Sequence, residues 1–489
     1  EPIISRLLAN AQTYLALSEA GMEDRLVLLR EVIPADVEAL QQRQLSDGGW
    51  GWAPLADPDA HLTAYGLLAL VRAREAGFDV SEAVVSAAQN YLMATLITPS
   101  AGTPDWQLNR LAFINYVLSE SGLTNVPPDA LLPYRERLSP SGQALLAAAL
   151  RGIDPDSADA AALVENLRGS AARTATGASW TAPDDDWRNL STPVSTTSVV
   201  VSLLAELDPS SPLLAEAARY LVANWKPAGG WGSSYTTAWT LNALTAYMRA
   251  SGDAQASFDF AAFLNGMELG GGSAAGPGGL QPVQAETSLA QLFPDSPNAL
   301  VIERGEGPGR LYYRAYLDVS MPVEEARAFS QGIAVEREYL SGGQNCREAE
   351  CTPIDRAELG QVQPVVARLT ITLAEPAYNV VVEDFIPAGM EVANPQLNTT
   401  VTLENPLAYV DARDPFAFGW GWWRFSEPAV RDDSLMWTSD FLPAGTYQLV
   451  YYLTPVQPGE YQVLPARAWA YHFPEVQGQS AGAVFTIGE

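Results

Sequence analysis

Residues 44–54, "QLSDGGWGWAP", place a pair of glycines and a tryptophan directly after a run of good helix formers. The segment that follows, "TAYGLLALV" at 63–71, is apolar nearly all round, which predicts a helix buried on most sides. The same grammar returns later in the chain. "AGGWGSS" at 228–234 leads into "TAWTLNAL" at 237–244, and both helical segments read Thr-Ala-aromatic-x-Leu-x-Ala-Leu. This is an internal repeat. Glycine permits the left-handed backbone of a tight reversal, and tryptophan brings a large apolar area to lay over the start of the next helix. Gly48, Gly49 and Trp50, and again Gly229, Gly230 and Trp231, are therefore expected to staple helical hairpins.

Working outward, helical periodicity predicts helices near 2–20, 35–44, 58–76, 81–98, 104–121, 142–153, 156–168, 192–207, 211–225 and 235–250. They come in two kinds. In "SPLLAEAARYLVANW" the apolar residues Leu214, Ala217, Ala218, Leu221 and Trp225 share one face, so the other is wet. Alternation of such outer helices with all-apolar inner ones is what a ring of helical hairpins requires. "QLSDGGW" also fits the Gln-x-x-x-Gly-x-Trp pattern of terpene cyclases and other α/α toroids, a resemblance that supports the toroid and not cyclase activity.

At 266–282, "GMELGGGSAAGPGGLQP", composition shifts to Gly and Pro and reads as a linker. Beyond it, alternating segments such as "GRLYYRAYLDVS", "GIAVEREYL", "VVARLTITLAE" and "GTYQLVYYLTPV" predict strands. The fold class expected is multidomain α plus β. An α/α toroid spans 1–265, a short β segment 283–332 pairs with strands from upstream of residue 1, and an antiparallel β-sandwich spans 333–489.

Charge restricts the partners. The formal net charge of −29 and the absence of a basic cluster argue against nucleic acid or an anionic membrane. Lys226 is the only lysine. No stretch reaches the roughly 18 apolar residues of a membrane span. The first residues, "EPIISRLLANAQTYLAL", enter a helix directly and read as an internal start.

Catalytic signals are thin. Asp184, Asp185 and Asp186 in "APDDDWRN" match neither an Asp-x-Asp-Asp acid nor an Asp-Asp-x-x-Asp magnesium motif, and read as a solvated loop. His61 lies in the first turn of a helix and reads as a surface or packed histidine; His472 has no Ser or Cys motif to serve. Two cysteines and two distant histidines furnish no zinc cluster, and no cofactor is expected. Cys346 and Cys351, five apart in a polar loop, favour a local disulfide over a metal site. The aromatic run "FGWGWWRF", with Trp420, Trp422 and Trp423, and the later Tyr471 read as core or interface filling.

Taken in order, "GGWGWAPLADPDAHLTAYGLLALVRAREAGFDV", "AGGWGSSYTTAWTLNAL", "GRLYYRAYL", "GIAVEREYL", "VVVEDFIPAGMEV" and "LPARAWAYHFPEVQGQSAG" resemble the C-terminal region of bacterial alpha-2-macroglobulins over essentially the whole chain. The resemblance implies a thioester-type helical domain, a CUB-like segment and a terminal macroglobulin domain, called receptor-binding in animal relatives. It further implies a non-enzymatic endopeptidase inhibitor of the extracellular space or cell envelope, with upstream macroglobulin domains and target endopeptidases as partners. In the family pattern Cys-x-Glu-Gln, followed after two residues by Ser-Arg, Glu1 falls on the Glu, Pro2 on the Gln, and Ser5 and Arg6 on the Ser-Arg. Proline has no side-chain acyl carbon to give, so a thioester is not expected and trapping would be steric. The rival reading is a structural or adhesive surface protein on the same scaffold.

Overall fold

The helical segments pack as alternating inner and outer elements. The computed structural model describes residues 1–53, 56–174, 177–226, 229–275, 282–341, 351–361, 364–392 and 419–489. Its helices are α1 (Pro2–Glu19), α2 (Val27–Gln41), α3 (Ala60–Glu75), α4 (Glu82–Thr95), α5 (Asp105–Glu120), α6 (Pro140–Ile153), α7 (Ala158–Ser170), α8 (Pro193–Leu207), α9 (Leu213–Ala223) and α10 (Ser234–Ser251). The second helix begins well before the expected residue 35, because Pro34 is accommodated inside it rather than starting it. A 3-10 stretch, Pro128–Arg137, went unread in the sequence; its prolines at 128 and 133 had masked any helical period.

Helices α1, α3, α5, α6, α8 and α10 each pack against the next, and α10 returns to α1, closing a six-helix inner ring. Between them along the chain come α2, α4, the 3-10 stretch, α7 and α9, so the fold is an α/α toroid. Helix α3 is buried continuously from His61 to Ala73. Full burial of one Leu, Ile or Val side chain is worth about 1.5–3 kcal/mol, so apolar residues all round the inner helices supply most of the ring's cohesion.

Three tryptophans, not two, join outer to inner helices. Each indole N–H donates to a leucine carbonyl of the preceding outer helix: Trp50 to Leu40 at 2.9 Å, Trp180 to Leu167 at 2.9 Å and Trp231 to Leu221 at 2.5 Å. Each tryptophan backbone N–H donates to a threonine hydroxyl of the following inner helix: Thr63 at 2.9 Å, Thr197 at 3.0 Å and Thr237 at 3.0 Å. The Trp180 copy, "GASW" at 177–180, lacks the Gly-Gly-Trp-Gly spelling and stands farther from its threonine. Close approach explains two of the glycines. A Cβ on Gly48 (φ +93°) would lie 2.2 Å from the Ala87 carbonyl oxygen, and one on Gly177 (φ +124°) 2.2 Å from that of Glu216.

Helix α10 ends at Gly252, in the left-handed conformation with φ 73°. The helical region therefore stops short of residue 265. Strand Ser257–Leu264 is the centre of a three-stranded antiparallel sheet, flanked by Met267–Ala275 and Leu300–Arg304. The stretch expected as a linker at 266–282 thus carries a strand. Its glycines answer to packing rather than looseness: a Cβ on Gly271 would meet the Phe260 carbonyl oxygen at 2.5 Å, and one on Gly272 the Phe260 ring at 3.1 Å. Leu300–Arg304 finds its partner at 257–264, within the chain. Residues 309–320, expected as a strand, carry none, and Tyr312, Tyr313, Tyr316 and Leu317 are exposed.

The chain divides into two compact units, Glu1–Arg173 with Gly177–Leu221 and Pro227–Arg314, and Thr174–Thr176 with Val222–Lys226 and Ala315–Glu489. In the second, a five-stranded sheet runs Met390–Val392, Gly445–Pro455, Val365–Leu373, Ile333–Ser341, Thr352–Pro353 in spatial order. A six-stranded sheet runs Ala429–Val430, Ser434–Leu442, Ala377–Phe385, Arg467–Ala470, Phe473–Gln479, Phe329–Gln331. Alternation places Val365, Ala367, Leu369, Ile371 and Leu373 inward, against Val380, Val382, Trp437 and Phe485. One inward pair is charged: Arg337, on the first sheet, meets Asp384, on the second, at 2.8 Å, and the Tyr451 hydroxyl donates to the same carboxylate at 2.6 Å.

Candidate functional site

The N-terminal parts of five inner helices converge on one buried cavity of about 30 Å³. His61 comes from α3, Asn109, Arg110 and Phe113 from α5, Ser141 from α6, Ser195 and Thr196 from α8, and Tyr235 and Trp239 from α10. This is a packed polar interior. His61 is buried between Phe113 and Tyr235, with ring centroids at 5.1 and 6.0 Å. Burial, reinforced by the Arg110 guanidinium, pushes its imidazole down to about 3. Neither ring nitrogen has a hydrogen-bond partner among the described residues, so the nearby serines and His61 form no nucleophile–base couple.

Asp186 corrects the reading of "APDDDWRN" as a solvated loop. Residues Asp184–Asn189 form a 3-10 turn that carries Asp186 inside, 1% exposed. Its carboxylate accepts from Asn109 Nδ2 at 3.1 Å, Asn189 Nδ2 at 2.7 Å and Ser191 Oγ at 2.6 Å. Burial raises its pKa, and those three hydrogen bonds oppose the rise. The exposed spelling of three consecutive aspartates concealed that one of them is a structural anchor of α5.

Glu1 and Pro2 sit at the same end of the ring. Pro2 is the first residue of α1, where a missing N–H costs nothing and a fixed φ favours the helix. The Glu1 carboxylate accepts from the Ser5 hydroxyl and from Ser234 Oγ at 2.9 and 3.0 Å, tying the start of α1 to the start of α10. Ser5 Oγ in turn lies 2.9 Å from the Tyr65 hydroxyl of α3. Arg6 leaves this network for Asp36 of α2, at 2.9 and 3.1 Å through Nε.

Above the buried cavity an open cleft of about 380 Å³ is lined by Glu1, Trp52, Trp187, Ser234 and Tyr235 among others. Trp52 and Trp187 are 49% and 64% exposed, unlike the fully sheltered staple residues.

The remaining predicted residues lie apart from this end. Trp420 lies on the turn before the 3-10 helix Trp422–Arg424, which carries Trp422 and Trp423, and Trp420 and Trp423 stand edge to face at 5.4 Å. Expected partly as core, they are exposed by 52%, 36% and 49%, because Gly419 (φ +100°) and Gly421 (φ +77°) turn the chain outward. Tyr471 stands exposed on a different connection, edge to face with His472. Cys351 is disulfide-bonded; Cys346 lies outside the described residues. Among the described residues no group of three or more His, Cys, Asp or Glu is placed to hold a metal ion, and no helix is long and apolar enough to cross a membrane.

Comparison with known proteins bears on both units. Residues 332–475 match the family described as Bacterial Alpha-2-macroglobulin MG10 domain. The whole chain aligns over 507 positions, at 24% identity, with an alpha-2-macroglobulin homolog of Nostoc sp.. It covers 25% of that relative, and so spans about a quarter of its length. Similar solved structures include Escherichia coli alpha-2-macroglobulin activated by porcine elastase, at 16% identity and TM-score 0.44 over 94% of this chain and 38% of that one. The native E. coli protein from domain MG7 to the C-terminus matches at 17% identity and TM-score 0.38 over 100% of this chain and 75% of that one. Residues 332–475 are thus a bacterial alpha-2-macroglobulin MG10 domain by similarity, and over its full length the chain is similar to part of an alpha-2-macroglobulin homolog.

Proposed function

We propose that this chain is the C-terminal part of a bacterial alpha-2-macroglobulin-type endopeptidase inhibitor, non-enzymatic, acting in the extracellular space or cell envelope by conformational entrapment without a thioester. The observation that carries the second half is Pro2. A thioester joins a cysteine sulfur to a glutamine acyl carbon, and the residue on the glutamine position is a proline that serves as the first residue of α1. The helical ring takes the place of the thioester-type domain, the sheet of 257–304 that of the CUB-like segment, and the sandwich that of the terminal macroglobulin domain. Upstream domains of the same protein are the natural partners of the three-stranded sheet. Its outer strands, Met267–Ala275 and Leu300–Arg304, each pair on one side only among the described residues, and Leu300 and Val301 are exposed.

The test is to add a panel of endopeptidases to the full-length protein and follow cleavage, compaction and retention by native gel and mass spectrometry. A single upstream cut with compaction and a retained peptidase, released by denaturant without a covalent adduct, is the expected result. Cutting without retention would overturn the reading. The three exposed tryptophans at 420–423 favour one alternative, an adhesive or structural surface role, and that outcome would direct attention to it.

A further inference from the structure

Six helices arranged in a ring touch their neighbours but not the helix opposite. In the order α1, α3, α5, α6, α8, α10, helices α3 and α8 stand opposite one another. Both contribute to the wall of the buried cavity of about 30 Å³, α3 through His61 and α8 through Thr196, and no residue of α1 lines it. His61 and Thr196 are 3% and 1% exposed. Neither the two ring nitrogens of His61 nor the Thr196 hydroxyl has a hydrogen-bond partner among the described residues. A serine or threonine inside a helix can return its hydroxyl to the carbonyl four residues back, as Ser198 does to Val194 at 2.8 Å; Thr196 does not. A neutral imidazole carries one donor and one acceptor, and a hydroxyl carries both, so three polar atoms at this cavity call for a partner.

We propose that this cavity is a hydration site, holding two ordered water molecules that link His61 of α3 to Thr196 of α8 across the ring axis. A buried water needs about 10–15 Å³ of cavity, so a cavity of about 30 Å³ takes two. Water fits the chemistry of the wall. It donates to the bare imidazole nitrogen, accepts from the protonated one, and does either with a hydroxyl. The Ser141 and Tyr235 side chains line the same cavity, which brings further hydroxyls toward the two to four partners a buried water makes. An apolar occupant would leave His61 and Thr196 unsatisfied. An ion would need a charged group to hold it, and the two charged side chains of the wall are already engaged. Asp186 accepts from Asn109, Asn189 and Ser191, and Arg110 donates to Asn189 Oδ1 at 3.0 Å and to the Arg188 carbonyl at 2.7 Å. The waters thus replace a side-chain contact that opposite helices do not make here. The site is independent of the entrapment reading, so either can fail alone.

The experiment is a crystal structure of the full-length protein at a resolution that shows ordered water, with a second crystal pressurised with xenon. Expected are two solvent peaks that join His61 to Thr196 through hydrogen bonds, and no xenon, because a dry apolar cavity takes up xenon and a hydrated polar one does not. Thr196→Val keeps the shape of the side chain and removes its hydroxyl, and should lose the peak beside residue 196. His61→Phe should lose the peak beside residue 61, with unchanged circular dichroism as the control for folding. The wild-type crystals decide the matter even where a variant fails to fold. Density without peaks joining the two residues, xenon in the cavity, or a peak with the anomalous signal of an ion would each overturn the proposal, as would both peaks persisting in Thr196→Val.

Discussion

Replacing Asp384 by asparagine isolates the buried Arg337–Asp384 ion pair, the one that crosses the sandwich core among the described residues. Arg337 and Asp384 have side chains 2% and 0% exposed, so the guanidinium left behind cannot recover water. Arg337 Nη1 also donates to the carbonyls of Phe385, at 3.2 Å, and Leu464, at 2.7 Å, which fixes it where it is and prevents it from swinging out. Removing one partner of such a buried pair costs about 3–5 kcal/mol, most of it the uncompensated charge. Replacing both partners by apolar residues, Arg337→Met with Asp384→Leu, removes the charge and the partner together and should cost much less, about 1 kcal/mol or below. The cycle is read by hydrogen exchange of peptides covering 333–341 and 377–385 in the full chain, because local opening free energies do not require the two units to unfold as one. In a calorimetric scan the single variant should lower the transition of this unit by roughly 6–20 °C, at 2–4 °C per kcal/mol for its size. The reasoning would be refuted by a single-variant cost below about 1 kcal/mol, or by a double variant as damaged as the single ones.

Three further perturbations test the helical ring. His61, pushed down to about 3 from an ordinary value near 6.5, binds no proton in the native state over a window in which the unfolded chain does. Its stabilising contribution is therefore complete above about pH 6.5 and is lost as pH falls toward 3, at about 1.4 kcal/mol per pH unit. His61→Phe should be roughly neutral at pH 7 and more stable than wild type by about 3 kcal/mol at pH 4, measured by urea unfolding at both pH values. Thr63→Val, Thr197→Val and Thr237→Val each orphan a tryptophan backbone N–H, and each should cost about 1–3 kcal/mol, with the serine variants largely restored; a neutral valine would show that the staple is carried by the indole alone. Gly177→Ala combines a left-handed φ with a 2.2 Å clash on backbone, whereas Gly229→Ala, at φ +93°, has open space around its Cβ. The first should be several kcal/mol less stable and the second about 1 kcal/mol, and equal melting points would refute the clash argument.

Much of this protein is legible from local pattern. Inner and outer helices differ in whether apolar residues occupy one face or all, and that difference is written residue by residue, so the α/α ring and the β character of the second unit follow from periodicity alone. Pro2 likewise needs no coordinates, since the absence of an acyl group is a property of the side chain. What periodicity cannot carry is partnership across the fold. Trp180 is a staple because Leu167 and Thr197 come to it, at spacings unlike those of the other two copies. Asp186 is internal because a 3-10 turn presents it to Asn109, and Met267–Ala275 is a strand because Phe260 lies against its glycines. Composition made those glycines look like a linker, and three aspartates look like a wet loop. In each case the deciding term is a close contact with a residue far away in the chain, and only the tertiary structure sets that distance.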